Sequence, residues 1–116
     1  MKSPYRIFMG TEVKFLIDIK SDGFSMHDDD FNITLWQGST VHVYQKSDLQ
    51  EETTIVDEQE VHKFYLCFDS ALFTPGIVSC LIRAYVPDTS FPDNYRTEVD
   101  KFDLVIIDST GEPVNP

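Results

Sequence analysis

The chain has 116 residues, of which 41% are hydrophobic and 13% aromatic. This apolar content is enough for one packed core and too high for a disordered chain. A chain of this length is too short to build two cores. Twenty acidic residues against nine basic ones give a formal net charge of -11. Such a surface repels nucleic-acid phosphates and anionic lipid headgroups, so we expect neither nucleic acid nor membrane as a partner.

Apolar and polar residues alternate with period two along most of the chain, which is typical of β-strands. In chain order, the runs cover residues 12–19, 31–36, 40–45, 62–68, 77–86 and 98–107, and shorter runs at 5–9 and 53–56 are candidates for edge strands. In the run 40–45, Val41 and Val43 stand opposite His42 and Tyr44. No segment has the pattern of an amphipathic helix, and residues 47–50 and 69–73 each suit a single helical turn.

Turn residues separate the runs. They are Ser21-Asp22-Gly23, Gln37-Gly38-Ser39, Thr74-Pro75-Gly76, Pro92-Asp93-Asn94 and Ser109-Thr110-Gly111. About seven short strands with turns at this spacing predict an all-β protein, an immunoglobulin-like antiparallel sandwich. We divide the chain into an N-terminal arm (residues 1–9), the β-sandwich domain (residues 10–108) and a flexible tail (residues 109–116).

The sequence begins without the apolar segment of a signal peptide, and it has no apolar run of about 18 residues that would span a membrane. We therefore expect synthesis in a reducing cytoplasm, where thiols stay free. If the runs around Cys67 and Cys80 form a hairpin about Phe73, the two cysteines come close and a disulfide is geometrically possible. In that compartment we expect two buried thiols instead.

Acidic residues gather between the first two long runs, where a metal site is conceivable. Asp22, Asp28, Asp29 and Asp30 lie there with His27 beside them. An EF-hand loop needs a glycine at its sixth position, but the corresponding position is Ile33, inside a strand. We expect a solvated turn and no bound metal, with a looser calcium site at the end of the sandwich as the alternative. His27, His42 and His62 are scattered along the chain, so zinc is disfavoured.

No pattern in the chain indicates catalysis. Nucleophilic hydrolysis needs a serine or cysteine with an oriented histidine base, and neither a nucleophile elbow nor a glycine-rich phosphate loop is present. We expect no enzyme activity and no cofactor.

Two features suit binding. Trp36, the single tryptophan, stands at a strand end next to Gln37-Gly38. Its ring either packs against the edge of the core, which we favour, or offers a stacking platform for a ligand or partner. Residues 48–60 hold six acids and no base, which is typical of an exposed, mobile loop and a possible dock for a basic surface.

The segment Pro87–Val99 is the most distinctive in the chain. Pro92-Asp93 suits the start of a β-turn, and Asn94 tolerates left-handed geometry. The guanidinium of Arg96 can bond carboxylates or carbonyls in two directions, so we expect it to organise this loop or to act at an interface. The residues assigned to this role are Asp88, Phe91, Asp93, Tyr95, Arg96 and Glu98, with Phe91 and Tyr95 either plugging the end of the sandwich or facing a partner.

The same segment carries a family resemblance. The residues that carry it are Gly10-Thr11-Glu12-Val13, Gly23-Phe24-Ser25-Met26 with Asp29-Asp30-Phe31, and Asp88 with Phe91-Pro92-Asp93 and Arg96-Thr97-Glu98-Val99. In these residues the chain resembles small β-sandwich structural proteins of Bacteroides-type phages and prophages, including crAss-like phages. Asn94 stands where the pattern has glycine, and asparagine can adopt the same backbone. The similarity covers roughly residues 10–107.

This resemblance implies a non-enzymatic structural module of a bacteriophage virion, such as a head-fibre, baseplate or tail adaptor domain. It implies synthesis in the host cytoplasm, a final location in the virion and contacts with other virion proteins. Sheet edges then favour a homo-oligomer, a dimer or trimer, and the arm at residues 1–9 pairs with its own sheet or with another subunit. The alternative is a carbohydrate-binding or adhesin-like sandwich that uses Trp36 and is assisted by calcium.

Overall fold

The computed structural model describes residues 4–112, and its regular structure is almost entirely β-strand. The strands are β1 (Tyr5–Phe8), β2 (Glu12–Ile17), β3 (Phe31–Gln37), β4 (Thr40–Gln45), β5 (Gln50–Val56), β6 (Gln59–Asp69), β7 (Gly76–Pro87) and β8 (Tyr95–Asp108). Single 3₁₀ turns follow β4 (Lys46–Asp48) and β6 (Ser70–Leu72), where the sequence predicts single helical turns. Within residues 4–112, no helix has the length and apolar character needed to cross a membrane.

The strands form two sheets that pack face to face. The larger sheet has the order β1-β8-β7-β3-β4, and the smaller one has the order β2-β6-β5. This confirms the predicted all-β sandwich. The described residues form eight strands, where the sequence predicted about seven, and the pairing of β1 with β8 is parallel, a departure from a purely antiparallel arrangement.

The core lies between the two sheets and is built by the alternation seen in the sequence. In β3, Phe31, Ile33 and Leu35 are fully buried, while the residues between them face away from the core. Antiparallel pairing brings Ala84, Ile82 and Cys80 of β7 opposite these three residues, so one face of both strands is apolar and buried. The smaller sheet supplies Ile17, Phe64, Leu66 and Phe68 from the other side, and Val78, Val86, Leu104, Val105 and Ile107 complete the larger layer.

Four of the nine residues of the predicted arm belong to the larger sheet, and residues 1–3 lie outside the described part of the chain. Tyr5–Phe8 pairs with Val105–Asp108 of β8, so this segment adds to its own sheet as an edge strand. After Gly10, which has φ of +93°, the chain passes to β2 in the smaller sheet. At the other end, residues 109–112 lie outside the strands, and residues 113–116 of the predicted tail lie outside the described part of the chain.

Residues 48–60 are mostly exposed, as predicted, but the prediction that they form a loop is wrong. This segment is most of a β-hairpin, in which β5 and β6 pair in continuous register from Gln50–Tyr65 to Val56–Gln59. Asp57 and Glu58 form its two-residue turn, both with positive φ of 51° and 64°. Positive φ at both central residues is typical of a type I′ turn, whose twist matches that of the two paired strands. The smaller run predicted at 53–56 is confirmed as part of an edge strand.

The condition under which the two cysteines would come close, a hairpin about Phe73, is not met, because β6 and β7 lie in different sheets. The 3₁₀ turn Ser70–Leu72 and the buried Phe73 carry the chain from β6 in one sheet to β7 in the other. Asp69 caps that turn by accepting a hydrogen bond from the Ala71 amide at 2.8 Å. Both cysteines are free, Cys80 buried and Cys67 exposed, so the expectation of two buried thiols fails for Cys67.

These positions predict very different reactivity for the two thiols. Burial, with a smaller contribution from the charge of Asp100, raises the pKa of the Cys80 thiol to about 12. A thiol reagent at neutral pH should therefore modify Cys67 alone in the folded chain and both cysteines in denaturant. Mass spectrometry of the labelled protein checks this, and fast labelling of Cys80 in the folded state would contradict the burial.

Truncation of a central core residue should destabilise the fold strongly. Leu35 is fully buried in β3, so Leu35→Ala leaves a cavity and should lower the free energy of unfolding by about 2–5 kcal/mol. The matched control is Ile55→Ala, which removes similar atoms from a side chain that is 74% exposed and should change stability by less than about 0.5 kcal/mol. Urea unfolding of both variants measures the difference, and equal losses would contradict the described core.

Candidate functional site

One end of the sandwich is organised around Arg96, the second residue of β8. Its Nη1 donates a hydrogen bond to Asp88 Oδ2 at 2.9 Å, and its Nε donates to Glu98 Oε1 at 3.3 Å. The remaining Nη2 donates to the carbonyl oxygen of Asp22 at 3.1 Å. Because Asp22 belongs to the connection between β2 and β3, Arg96 joins two separate loops.

The loop between β7 and β8 also has its own hydrogen bonds. The Asp88 amide donates to the Asn94 carbonyl at 2.9 Å, and the Asn94 amide donates to the Phe91 carbonyl at 3.0 Å. Asp88 Oδ1 accepts from the Ser90 amide at 2.9 Å, and Asn94 has the left-handed φ of 64° that its residue type allows. Asp93, which the sequence placed beside Arg96, makes no ion pair with it among the described residues.

The charges at this corner stabilise one another. Hydrogen bonds from the Ser90 backbone and side chain, and then from Arg96, lower the pKa of Asp88. The pKa of Glu98 is lowered by a hydrogen bond with Ser21 and by Arg96. In turn, the hydrogen bond to Asp88 raises the pKa of Arg96. All three groups are therefore charged at neutral pH.

The two aromatic residues of the segment lie at the surface. Phe91 is 45% exposed and Tyr95 is 40% exposed, so neither is a fully buried plug. The Tyr95 ring packs edge to face on Tyr85 at 5.5 Å, and the Tyr85 hydroxyl accepts a hydrogen bond from Asn32 Nδ2 at 3.1 Å. This places Tyr95 at the end of the face of the larger sheet that points away from the core.

That face, which we call the outer face, also carries Trp36. Leu35 is fully buried, so its neighbour Trp36 lies on the opposite side of β3, half-buried, with the Lys101 ammonium 5.4 Å from its ring centre. The favoured expectation of a ring packed at the core edge is therefore wrong. Cross-strand register aligns two rows of side chains across the outer face: Val41-Trp36-Ser79-Asp103 and Val43-Thr34-Leu81-Lys101.

β4 ends the larger sheet on this side and differs from the other edge strands. Its residues, Thr40-Val41-His42-Val43-Tyr44-Gln45, include no charged side chain and no proline, and its pairing with β3 is unbroken. The other edges carry charge: Arg6 in β1, Glu12 and Lys14 in β2, and Glu51 and Glu52 in β5. Within the described residues, no strand pairs with the free edge of β4.

The four aspartates that the sequence offered for calcium do not converge. Asp29 Oδ2 accepts a hydrogen bond from the Ser25 amide at 2.8 Å, and Asp30 Oδ1 lies 2.9 Å from the Phe31 amide nitrogen, so both carboxylates serve the backbone of the turn. Among residues 4–112, the set of side chains whose donor atoms could share one metal ion is instead His27, Glu51 and His62.

This His–Glu–His cluster was missed by the sequence analysis, which treated the histidines as scattered. The imidazole rings of His27 and His62 stack with centres 3.9 Å apart and planes tilted by 17°. Glu51 Oε2 lies 3.4 Å from His27 Nδ1 and 2.8 Å from His62 Nδ1. The contact joins the β2–β3 connection to the β5–β6 hairpin, a pairing that alternation within single strands does not reveal.

Comparison with known proteins adds no relative. No protein-family model matches the chain, and neither the curated proteins nor the solved structures include a significant match. The resemblance to phage proteins stays a prediction.

Removal of the Arg96 side chain should loosen two loops at once. We expect Arg96→Ala to lower the melting temperature by a few degrees at neutral pH. Arg96→Lys should lower it less, because it keeps the charge but its single nitrogen cannot reach all three acceptors at once. The control is Arg6→Ala, which removes a single ion pair to Asp108 between side chains 66% and 41% exposed and should have a smaller effect.

The effect should depend on pH with a definite sign. Asp88 and Glu98 have folded-state pKa values below their ordinary values of 3.8 and 4.5. Their contribution is therefore present above those values and lost as the pH falls through the folded-state values. Scanning calorimetry of wild type and Arg96→Ala should show a gap that closes in acid; an unchanged melting temperature combined with failed assembly would make Arg96 an interface residue instead.

Proposed function

We propose that this chain is a non-catalytic assembly module of a bacteriophage particle, acting as an adaptor or fibre-attachment domain in the head, baseplate or tail. The observation that carries the assembly role is the uncharged edge of β4, continuous with the apolar part of the outer face. The assignment to a phage particle rests on the family resemblance of residues 10–107.

A free sheet edge presents unpaired backbone N–H and C=O groups to any strand that approaches it. Proteins that must avoid such contacts place charges, prolines or bulges on their edges. β4 has none of these, whereas each of the other three edges carries charge. Addition of a neighbouring strand to β4 would satisfy the free backbone groups, as in other complexes formed by β-augmentation.

The outer face supplies apolar contact area beside that edge. Val41 and Val43 are 54% and 55% exposed, and Val99 and Ile77 lie further across the same sheet at 57% and 49%. Trp36 and Leu81 stand half-buried between them. A partner strand on β4 would cover the two valines, and tryptophan at the centre of such a surface is a common binding hot spot.

The contacts of His62 bear on the choice between binding and catalysis. His62 is the one histidine hydrogen-bonded to both a hydroxyl and a carboxylate, with Thr53 Oγ1 at 3.1 Å and Glu51 Oε2 at 2.8 Å. Both hydrogen bonds are to Nδ1, and the Glu60 carboxylate lies 3.5 Å from Nε2, so no serine or cysteine nucleophile is hydrogen-bonded to this ring within the described residues. This supports a role in binding over one in catalysis.

The second candidate function is a carbohydrate-binding or adhesin-like sandwich. It is supported by the position of Trp36 on the outer face, where aromatic rings can stack on sugars. The Lys101 ammonium lies over that ring, and a sugar would have to displace it. The four aspartates make no shared calcium site in the described chain, so this candidate ranks below assembly.

A charge placed on the β4 edge should test the assembly role. Val43→Lys puts an ammonium where an added strand would pack, and its side chain is 55% exposed, so the fold itself should tolerate it. We expect the homo-oligomer, a dimer or trimer, to dissociate to monomers in size-exclusion chromatography with light scattering. Val56→Lys is the matched control, because Val56 is 53% exposed on the edge strand of the smaller sheet and should leave the mass unchanged.

A second measurement addresses the particle itself. Mass spectrometry of purified virions of a phage that encodes this chain should find it as a structural component, and the Val43→Lys chain should be depleted from them. A wild-type chain that is monomeric at all concentrations and absent from virions would reject the proposal. Binding on a glycan array that is lost with chelator would favour the second candidate.

A further inference from the structure

We propose that His27, Glu51 and His62 form a binding site for one divalent transition-metal ion of the zinc class. The site involves no residue of the β4 edge, so it stands independently of the assembly role. Two imidazoles and a carboxylate are a donor set that suits zinc, cobalt, nickel or copper. Calcium and magnesium prefer sets made of oxygen atoms alone, so the same residues disfavour them.

The strand pairing brings two of the three ligands together. Thr53 of β5 is opposite His62 of β6, and Glu51 is opposite Phe64. Phe64 is buried in the core, so Glu51 and His62 share its face of the smaller sheet, just beyond the end of the packed core. The β2–β3 connection crosses this position and places the His27 ring on that of His62.

Distances between the donor atoms match a shared ion. In a tetrahedral zinc site with bonds of about 2.0–2.1 Å, neighbouring ligand atoms are about 3.3 Å apart. Glu51 Oε2 is 3.4 Å from His27 Nδ1 and 2.8 Å from His62 Nδ1, and the donor atoms of all three residues lie within 4.8 Å of one another. Because the stacked rings are tilted by only 17°, their in-plane Nδ1 lone pairs run nearly parallel, so binding one ion would require the two imidazoles to rotate about their side-chain bonds.

The backbone that carries His27 is already held in place. Lys46 Nζ donates hydrogen bonds to the carbonyl oxygens of His27 and Asp29, each at 2.7 Å. Within the same turn, the Asp29 amide donates to the Ser25 carbonyl at 2.9 Å, and the Ser25 amide donates to Asp29 Oδ2 at 2.8 Å. A fixed loop reduces the ordering cost of binding, so the ion would find two of its ligands on a strand pair and the third on a tied turn.

A second carboxylate is placed to support His62. Glu60 Oε2 lies 3.5 Å from His62 Nε2, the ring nitrogen that faces away from Glu51. A ligating histidine commonly directs its other ring nitrogen to a carboxylate, which fixes the ring orientation and raises its basicity.

The three protein ligands leave a fourth position for water or for a group from a neighbouring molecule. With an ion in place, the β2–β3 connection and the β5–β6 hairpin would be joined by metal bonds.

The test uses the full chain with any histidine tag removed, titrated with zinc chloride at neutral pH by isothermal calorimetry. Wild type should bind one zinc ion per chain. His27→Ala and His62→Ala should each lose at least about tenfold in affinity, and Glu60→Gln about tenfold, as expected for an outer carboxylate partner. His42→Gln is the matched control, because His42 packs on Phe73 away from the cluster and its loss should leave zinc affinity unchanged.

A second readout separates loss of the site from loss of the fold. Zinc should raise the melting temperature of wild type and of His42→Gln but not of His27→Ala. The His27 side chain is 55% exposed on a surface loop, so we expect its removal to leave the fold intact. Excess calcium should not displace zinc. The proposal is overturned if wild type binds zinc no more tightly than His27→Ala, or if His42→Gln loses as much affinity as the cluster variants.

Discussion

The antiparallel register between β3 and β7 is the constraint on which the rest of the structure depends. It sets Phe31, Ile33 and Leu35 against Ala84, Ile82 and Cys80, so that both strands present one continuous apolar face to the smaller sheet. A shift of a single residue would turn this entire face to solvent and bring the polar residues of β3 inward. The same register therefore determines which side chains are left outside to meet other molecules.

The outer face and the loops at the end of the sandwich both depend on this register, in different ways. The smaller sheet covers only the inner face, so Trp36, Val41 and Val43 remain accessible beside an edge without charge. At the loop ends, polar contacts take over: Arg96 ties the β7–β8 loop to the carbonyl of Asp22, and Lys46 ties the turn that presents His27. Both ties hold the β2–β3 connection, which bridges the two layers without regular structure of its own.

Local patterns in the sequence were sufficient for the strands and for the sandwich. Alternation identified Leu35 as a core residue, and the residue type of Asn94 indicated its left-handed turn. Contacts between distant segments were not accessible in this way. The β5–β6 hairpin was mistaken for a loop because its turn, Asp57-Glu58, lacks the glycine or asparagine that marks such turns. The contact between His27 and His62 depends on how the β2–β3 connection crosses the smaller sheet, and the alternation pattern of a single strand carries no information about this crossing.

The fluorescence of Trp36, the only tryptophan, tests the central register most directly. An indole on the outer face should emit as a partly exposed group and be quenched by acrylamide in the free chain. If the chain assembles through the outer face as we propose, the emission of the assembled chain should move to shorter wavelength and the quenching should fall. An emission that resists acrylamide in the free, folded chain would place the indole in the core and contradict the register of β3.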